Sequence, residues 1–307
     1  MNIITQHFSL IEPGPVQRLG GLTLFPLTVE GKSCPPSLQT FDQLADQGCA
    51  RAFEHGVGGS VTSVNIENNS SFFLLMLDGE GIVGAKQNRM VQRSVIIAPN
   101  TCQPIPVNCV EQGRWRYSGS ASFKKASFTS SAKMRDVKAG YMKSGMDSDI
   151  QSTMWNEISA LEEKLGVSSS TKDLDEILHA KQTVSSYQIQ EFVHENPCNG
   201  FLVFGSGRPF VELFCNKKLC EHFVTKSIKT WIADVDEEPF ESNYNPYRAL
   251  NQLLMSSWSV DECVGAEKVY TSDDRNSGRC ILLNDAFVHG YYYLPSQAYH
   301  TSPTLKV

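Results

Sequence analysis

Hydrophobic and polar positions alternate along the first third of the chain in a pattern typical of β-strands. Val64 and Ile66 alternate with polar neighbours, and residues 72–77 form a continuous apolar run. Alternation indicates a strand with one buried face, whereas a short continuous run indicates a strand buried on both faces. The Asp78-Gly79 pair that follows predicts a tight turn, because both residue types tolerate a positive φ. The first third therefore predicts a mostly antiparallel sheet.

Two further strands are predicted before residue 110. Val91 and residues 95–97 indicate one of them, and the alternating apolar positions within 105–109 indicate the other. Pro104 and Pro106 lie among those alternating positions and have no backbone N–H to donate. Because proline is confined to edge strands and bulges, this last strand is predicted at an edge or at a bulge.

Apolar residues recur at helical spacing elsewhere in the chain, each time after a typical capping residue. Thr40, with Gln43 three residues later, predicts a capping box and a short helix. Ser148 is predicted as the cap of a longer helix, and Ser170 with Asp173 as the capping box of the next one. The apolar faces of these two helices are Ile150, Met154, Ile158, Leu161 and Leu165, then Leu174, Ile177, Leu178 and Val184.

The C-terminal half combines predicted strands with helices. Two apolar runs flank a glycine-rich turn as in a hairpin, a helical apolar face follows, and strands return near the end; these segments are 201–204, 210–214, 219–231, 267–271, 280–283 and 287–294. Strands segregated from helices are typical of the α+β class. We expect a β-rich region at 1–145 that carries the site and an α+β region at 146–307, or one continuous domain formed by both.

Composition and charge favour a cytoplasmic protein that binds no membrane. The net charge of -6 and the pI near 5.7 disfavour broad attraction to nucleic acid or to anionic lipid. The N-terminus lacks the pattern of a signal peptide, and no apolar run approaches the roughly 18 residues that span a bilayer. Nine cysteines, an odd number scattered along the chain, favour reduced thiols over a disulfide framework.

One stretch departs from the acidic character of the chain. Residues 112–143 contain eight basic residues and one acid, with aromatic residues among them. Interleaved basic and aromatic side chains are typical of single-stranded nucleic-acid binding. The overall negative charge instead favours a solvated, partly mobile loop, and that is the prediction adopted for this stretch.

Carboxylates, cations, side-chain amides and glycines are concentrated between residues 72 and 115. Glu80 and Glu111 are candidates for a catalytic general base, with metal ligation as the other use of such carboxylates and no residue assigned to a metal. Arginine and lysine suit phosphate oxygens, and side-chain amides suit a ribose or a base edge. The candidate ligand-binding residues are Asp78, Lys86, Gln87, Asn88, Arg89, Gln112, Arg114 and Trp115.

The same residues also have a structural interpretation. Asp78 builds the turn, and the glutamates pair with Lys86, Arg89 and Arg114, because structural ion-pair networks are common. The glycines around them favour a ligand, since they let it approach the backbone closely. The cysteines and histidine within 215–222 are too few for a structural zinc site. The sequence does not identify a cofactor.

Two phrases in this segment resemble a bacterial family. Residues 78–89 read DGEGIVGAKQNR and residues 109–115 read CVEQGRW. These phrases resemble the ARG and rhodanese-phosphatase-superfamily-associated protein domain family. The resemblance includes a later helix at 154–157 and extends over nearly the whole chain. The resemblance implies an association with enzymes that handle ADP-ribose and related NAD-derived nucleotides. Gly81 departs from the family pattern, in which a second acid follows Glu80, and this weakens any scheme that requires adjacent paired carboxylates.

The sequence thus supports two hypotheses. In the first, the chain binds a phosphorylated nucleotide-sugar such as an ADP-ribose or NAD derivative, with its turnover left open. In the second, the chain is a non-catalytic interaction module that docks a protein partner, and its 72–115 core is structural. A concave pocket where Glu80, Lys86, Glu111 and Arg114 converge would favour the first hypothesis.

Overall fold

The computed structural model describes residues 3–30, 34–35, 37–56, 58–117, 119–181, 184–235, 244–273 and 277–295. Within them the strands are β1 (Ile11–Pro13), β2 (Gln17–Leu19), β3 (Leu22–Val29), β4 (Leu38–Thr40), β5 (Ala50–Glu54), β6 (Ser63–Asn68), β7 (Phe73–Met76), β8 (Glu80–Gly84), β9 (Arg89–Val91), β10 (Val95–Ile97), β11 (Thr101–Cys109), β12 (Ser122–Thr129), β13 (Gly200–Phe204), β14 (Phe210–Phe214), β15 (Trp258–Asp261), β16 (Lys268–Ser272), β17 (Gly278–Leu283) and β18 (Ala286–Tyr293). The helices are α1 (Ile3–Phe8), α2 (Phe41–Asp46), α3 (Ala132–Lys143), α4 (Ile150–Leu165), α5 (Leu174–Ala180), α6 (Ser186–Glu195), α7 (Lys217–Ala233) and α8 (Pro246–Met255), with a short 3-10 helix at Asp147–Asp149.

A closed barrel is formed by strands from the first half of the chain, in the order β11-β6-β5-β12-β8-β9. Val64 and Ile66 of β6 are fully buried in its core together with Ile82 of β8. The alternation along β6 therefore has the predicted cause, because a strand in a barrel wall turns every second side chain inward.

The prolines of β11 lie where that strand has one hydrogen-bonding neighbour. Residues 101–106 of β11 pair with β6, and residues 107–109 pair with β9 instead. Pro104 and Pro106 belong to the first part. Over residues 101–106 no second strand of the described chain pairs with β11. The two missing N–H groups can therefore face the unpaired side of the strand, as at a sheet edge.

A second, larger sheet joins strands from both ends of the chain, in the order β1-β3-β13-β14-β18-β17-β16-β15 with β2 beside β3. Strand β3 pairs with β13, so that Leu27 lies opposite Gly200. Residue 145 therefore does not separate one sheet from another. Helices and mainly antiparallel strands together confirm the predicted α+β class.

The prediction of one strand through Val91 and 95–97 is wrong in its continuity. Strand β9 lies in the barrel, whereas β10 pairs with β7 in a separate sheet ordered β10-β7-β4. The chain leaves the barrel at Arg93 and Ser94, where the Ser94 hydroxyl accepts a hydrogen bond from the Asp78 N–H at 2.9 Å. The hydrophobic periodicity of the sequence does not show that the short polar segment between Val91 and Val95 carries the chain from one sheet to another.

The prediction of a solvated, partly mobile loop at 112–143 is also wrong for most of that stretch. Residues 122–129 form β12 in the barrel wall, and residues 132–143 form α3. Arg135 and Lys138 of α3 are buried, with 3% and 0% of their surface exposed. Their carboxylate partners, Glu212 and Asp78, lie far away in sequence. The local excess of basic residues therefore predicted solvent exposure for two cations that are buried and paired with carboxylates in the folded protein.

Some helix boundaries differ from their predicted caps. Thr40 accepts a hydrogen bond from the Gln43 N–H, which confirms the capping box of α2. The helix predicted after Ser148 instead has Asp149 as its N-cap, and α5 begins after Asp173 rather than at a box with Ser170. Val184 lies ahead of a separate helix, α6, that was not predicted.

Two further observations concern the cysteines and the helices. The structure joins Cys34 to Cys215 by a disulfide, so the expectation of reduced thiols alone is wrong for this pair. Their Cα atoms are 4.9 Å apart, within the usual range for a disulfide. Among the described residues, no helix combines the length and the apolar character needed to cross a bilayer.

Candidate functional site

The residues predicted to form one site lie in separate places. Glu80 is the first residue of β8, and the last residue of that strand, Gly84, offers its carbonyl to Arg114 at 3.3 Å. At roughly 3.3 Å per residue, the two ends of β8 are about 13 Å apart. Glu80 and the Glu111–Arg114 pair therefore occupy different surroundings, and the two predicted catalytic carboxylates do not converge.

Each guanidinium nitrogen of Arg114 donates hydrogen bonds to neighbouring residues. Nε donates to Glu111 Oε1 at 2.7 Å and Nη2 to Glu111 Oε2 at 2.6 Å. Nη1 donates to the carbonyls of Ala85 and Arg116 at 2.8 and 2.9 Å. This arginine clamps the loop after β11 to the end of β8, and its donors already have partners.

The side-chain amides beside the clamp are likewise engaged with neighbouring residues. Asn88 donates from Nδ2 to both carboxylate oxygens of Asp173, at 3.1 and 3.0 Å, and from its backbone N–H to Glu111. Gln87 accepts from Arg89 Nη1 at 2.7 Å. Burial raises the pKa of Asp173 to about 6, although the Asn88 amide opposes this shift. A pocket of about 520 Å³ opens next to Asn88, Glu111 and Asp173.

The remaining predicted ligand residues are Lys86, Arg89, Gln112 and Trp115, of which Arg89 is fully buried and Trp115 is exposed. Lys86 Nζ lies 5.5 Å from the ring centre of Trp115 and 5.4 Å from that of Tyr117. The Arg89 guanidinium lies 5.4 Å from the Trp115 ring. Gln112 is exposed on the adjacent turn. The ligand-binding roles of these residues stay predictions.

Asp78 lies in the interior between the barrel and the nine-stranded sheet. Its carboxylate pairs with Lys138 of α3 and accepts a hydrogen bond from Tyr291 Oη of β18 at 3.1 Å. Burial lowers the pKa of Lys138, and the nearby Asp78 carboxylate opposes this. Asp78 therefore links the β7–β8 turn, α3 and β18. It does not line any of the described pockets.

Glu80 belongs to a different cluster, which the sequence did not predict. Lys226 Nζ lies 3.3 Å from Glu80 Oε1 and 2.8 Å from Asp42 Oδ2. His222 Nε2 lies 3.5 Å from the same Asp42 oxygen. One ligand atom from each of Asp42, Glu80 and His222 can be chosen so that all three lie within 4.8 Å of one another.

The cluster is electrostatically unusual because it is largely removed from water. Burial raises the pKa of Glu80 to about 7, although Lys226 opposes the shift. Burial by itself would lower the pKa of Lys226, but Glu80 and Asp42 raise it above its ordinary value. Burial, reinforced by the Lys226 ammonium, lowers the pKa of His222. The site thus combines a persistent ammonium, a neutral imidazole and a carboxyl group that can exchange a proton near neutral pH.

Three elements hold this cluster together. Asp42 lies in the first turn of α2, two residues after the Thr40 cap. Glu80 begins β8, and its Oε2 accepts from the Leu77 N–H at 2.8 Å. The helix α7 begins at its cap Asn216 and carries His222 and Lys226 one turn apart, where it packs against β12. Each side chain is therefore anchored at the end of an element or on one helix face.

A shallow pocket of about 780 Å³, wide open to solvent, lies beside the cluster. It is lined by cations, hydroxyls, an amide and carboxylates, among them Asp42, Lys125, Ser127, Gln190, His194, Lys218, Glu221, His222, Thr225 and Lys226. A neighbouring pocket of about 630 Å³ shares Lys218 and His222 with it. The two pockets adjoin at these residues of α7, and the larger one, which also contacts α2 and α6, is the cleft referred to below.

Sequence reasoning missed Asp42, Lys218 and Lys226 and noted His222 only for its spacing to cysteines. A signal was present on α7, because Lys218, His222 and Lys226 recur every four residues. That spacing places side chains on one helix face. Asp42 carried no comparable signal, since an acid in the first turn of a helix is usually explained by the helix dipole.

The comparison with known families decides the classification. The model of the ARG and Rhodanese-Phosphatase-superfamily-associated Protein domain, ARPP-1, matches residues 11–293. The chain belongs to the ARPP-1 family. Neither the curated proteins nor the solved structures contain a match. In this ARPP-1 domain, the phrase at 78–89 runs from the β7–β8 turn into β9, and the phrase at 109–115 begins at the last residue of β11. Both phrases thus build one wall of the barrel and its clamp.

Proposed function

We propose that this protein binds a phosphorylated nucleotide-sugar, such as an ADP-ribose or NAD derivative, in the cleft beside Lys226. The observation that carries the proposal is the lining of the 780 Å³ pocket, which places Lys218 and Lys226 next to Ser127, Thr225 and Gln190. Ammonium groups suit phosphate oxygens, and hydroxyls and amides suit a sugar. The volume falls within the range of small-molecule sites, and the pocket is open to solvent on one side.

The cleft suits this role better than the clamp around Arg114 does. Arg114 would have to give up bonds to Glu111 and to backbone carbonyls before it could bind phosphate. Lys218 is exposed and has no ion-pair partner among the described residues. The ammonium of Lys218 can therefore reach a phosphate without breaking an existing contact.

Glu80 supplies the chemistry that turnover of such a ligand would require. A carboxyl group whose pKa is about 7 can accept or donate a proton at neutral pH. Lys226 places a positive charge between Glu80 and the pocket, where negative charge would develop on a phosphate or a leaving group. Turnover in the cytoplasm, within the metabolism of NAD-derived nucleotides, is part of this proposal.

One observation favours the alternative hypothesis of an interaction module. Within the 72–115 segment, Glu111 pairs with Arg114, and Arg89 donates a hydrogen bond to Gln87. Such mutual pairing is what a structural core at 72–115 requires. In this second proposal the segment stabilises the barrel, and the protein acts by docking another protein.

A thermal-shift experiment separates the two proposals. The wild-type protein, Lys218→Ala and Lys217→Ala are heated with ADP-ribose, its phosphates, NAD and simple nucleotides, with and without divalent metal. Lys217 is the matched control, because it is also exposed on α7 but does not line the pocket. A ligand at about a hundred times its Kd adds roughly 2.7 kcal/mol of stability.

We expect the wild type and Lys217→Ala to be stabilised alike by at least one of these compounds, and Lys218→Ala to be stabilised less. Equal shifts in all three proteins would place the ligand elsewhere. The absence of any shift in the wild type would favour the interaction module and a search for a protein partner.

A further inference from the structure

We propose that Asp42, Glu80 and His222 form a binding site for a divalent first-row transition-metal ion, and that Lys226 holds the place of the cation when the metal is absent. The proposal concerns metal binding alone and does not require a nucleotide in the cleft.

The three donors lie close enough together to be drawn around one metal ion. Asp42, Glu80 and His222 come from α2, β8 and α7, and their ligand atoms lie within 4.8 Å of one another. Bonds of about 2.0–2.2 Å to oxygen and imidazole nitrogen place two ligands of one ion at most about 4.4 Å apart, so the three donors need to move only slightly closer together to contact one ion. Three protein ligands leave further positions open for water or substrate, as in catalytic sites.

His222 supplies a second and independent observation. The His222 side chain is 27% exposed as a whole, but its Nε2 atom is buried and has no hydrogen-bond partner among the described residues. The same atom faces Asp42 Oδ2 at 3.5 Å, where no aligned hydrogen bond is made. A buried imidazole nitrogen without a partner costs free energy, and coordination of a metal would satisfy it.

The charges of the cluster also favour a dication. Two carboxylates, which are 11% and 3% exposed as side chains, face the single ammonium of Lys226. Lys226 Nζ contacts both of them, at 2.8 and 3.3 Å, so it occupies the position from which a cation would bridge them. A metal carries twice that charge, and its arrival would move the flexible lysine stem toward the open cleft that Lys226 already lines.

The donor set selects the class of metal. One imidazole with two carboxylates suits manganese, iron, cobalt or zinc, whereas calcium and magnesium prefer oxygen ligands alone. The ion would face the 780 Å³ pocket through Asp42 and His222, both of which line it. A metal at this position could contact a phosphate oxygen of the ligand proposed for the cleft.

Manganese binding can be measured directly by the loss of the electron paramagnetic resonance signal of the free ion, in buffer without nucleotide. We expect the wild type to bind one Mn²⁺ per chain. His222→Gln and Asp42→Asn should each weaken that binding by at least about tenfold, because even the partners of metal ligands contribute that much. Lys226→Met should bind Mn²⁺ more tightly than the wild type, because it removes the competing charge.

His194→Gln is the matched control, since His194 lines the same pocket but is not one of the three ligands. We expect it to bind Mn²⁺ as the wild type does. Far-UV circular dichroism of each variant without metal shows which are folded, and Asp42→Asn, which keeps the shape of the side chain, serves if His222→Gln is unfolded.

Three results would overturn the proposal: a free-ion signal that the wild type does not reduce, a His222→Gln variant that binds like the wild type, or a Lys226→Met variant that binds no more tightly. The Co²⁺ complex gives an independent check. Nitrogen and oxygen ligands predict weak visible bands, whereas an intense thiolate charge-transfer band would place the metal on cysteines and contradict the site. Failure of nucleotide binding would leave the Mn²⁺ result unaffected.

Discussion

Lys138 of α3 and Asp78 of the β7–β8 turn form an ion pair in the interior, with side chains that are 0% and 1% exposed. Tyr291 Oη adds a hydrogen bond to the same carboxylate at 3.1 Å. The contact joins the barrel, a helix and the nine-stranded sheet at one point. It lies next to Glu80, so the position of the candidate site depends on it.

We predict that Lys138→Met lowers the free energy of unfolding by about 3–5 kcal/mol, because it leaves the Asp78 carboxylate buried without a counter-ion. Urea denaturation measures the effect. Lys133→Met on the same helix is the control, since the Lys133 side chain is 54% exposed and its pair with Glu157 should contribute less than about 1 kcal/mol. Removing both partners, as in Lys138→Met with Asp78→Leu, should recover part of the loss; a double variant as unstable as the single one would contradict this account.

A second prediction concerns Arg114. Arg114→Ala should cost about 3–5 kcal/mol of stability, because the Glu111 side chain is 5% exposed and loses its counter-ion. Binding of a nucleotide in the cleft beside Lys226 should be unchanged when measured by calorimetry at a temperature where the variant is folded. Arg116→Ala, two residues away and exposed, should stay within about 0.5 kcal/mol of the wild type. Unchanged stability with lost nucleotide binding would instead support the phosphate-binding role predicted from the sequence.

Much of the fold could be predicted because local patterns determine it. The alternation at Val64 and Ile66, the hairpin around residue 205 and the Thr40 cap each depend on residues close in sequence. The basic stretch failed for the opposite reason. Lys138 and Arg135 were assigned to solvent because their neutralising partners lie 60 and 77 residues away, and no local pattern contains that information.

The candidate site, like the fold, was predicted only where local sequence determines it. Glu80 was selected from the density of polar residues around it, but Glu111 was placed with it only because both lie in one segment. The strand β8 separates them, whereas Asp42 and Lys226 reach Glu80 from segments that are distant in sequence. A site assembled by tertiary contacts can therefore be predicted one residue at a time but not as a set.

A third prediction tests the cap that positions Asp42. Thr40 ends β4 and begins α2, where its hydroxyl accepts from the Gln43 N–H and the Gln43 side chain accepts from the Thr40 N–H. Thr40→Ala should lower stability by about 1 kcal/mol in urea denaturation, because one helix donor loses its partner. Ser152→Ala, which removes an exposed hydroxyl from α4, should change stability by less than about 0.5 kcal/mol. Equal effects of the two substitutions would remove the capping box as a source of stability.

The last prediction concerns pH and Asp234, the C-cap residue of α7. Burial raises the pKa of Asp234 to about 6, although the Lys133 N–H and the Ser131 hydroxyl bind its carboxylate and oppose the shift. The unfolded chain releases this proton near pH 4, so between pH 4 and pH 6 the folded protein binds more protons at this position than the unfolded chain does. Stability from this group is therefore greatest below pH 4 and falls as the pH rises through 6, by up to about 3 kcal/mol.

Asp234→Asn should remove that fall, because the amide does not titrate. Urea denaturation at pH 4, 5, 6 and 7 gives the difference in unfolding free energy between variant and wild type, which should shift in favour of the variant as the pH rises. Asp285→Asn is the control, since the Asp285 side chain is 70% exposed and the substitution removes the same charge from the surface. A difference for Asp234→Asn that is constant across this range would mean that the folded protein does not hold the proton more tightly than the unfolded chain, and that water or the Lys133 N–H stabilises the carboxylate enough to offset its burial.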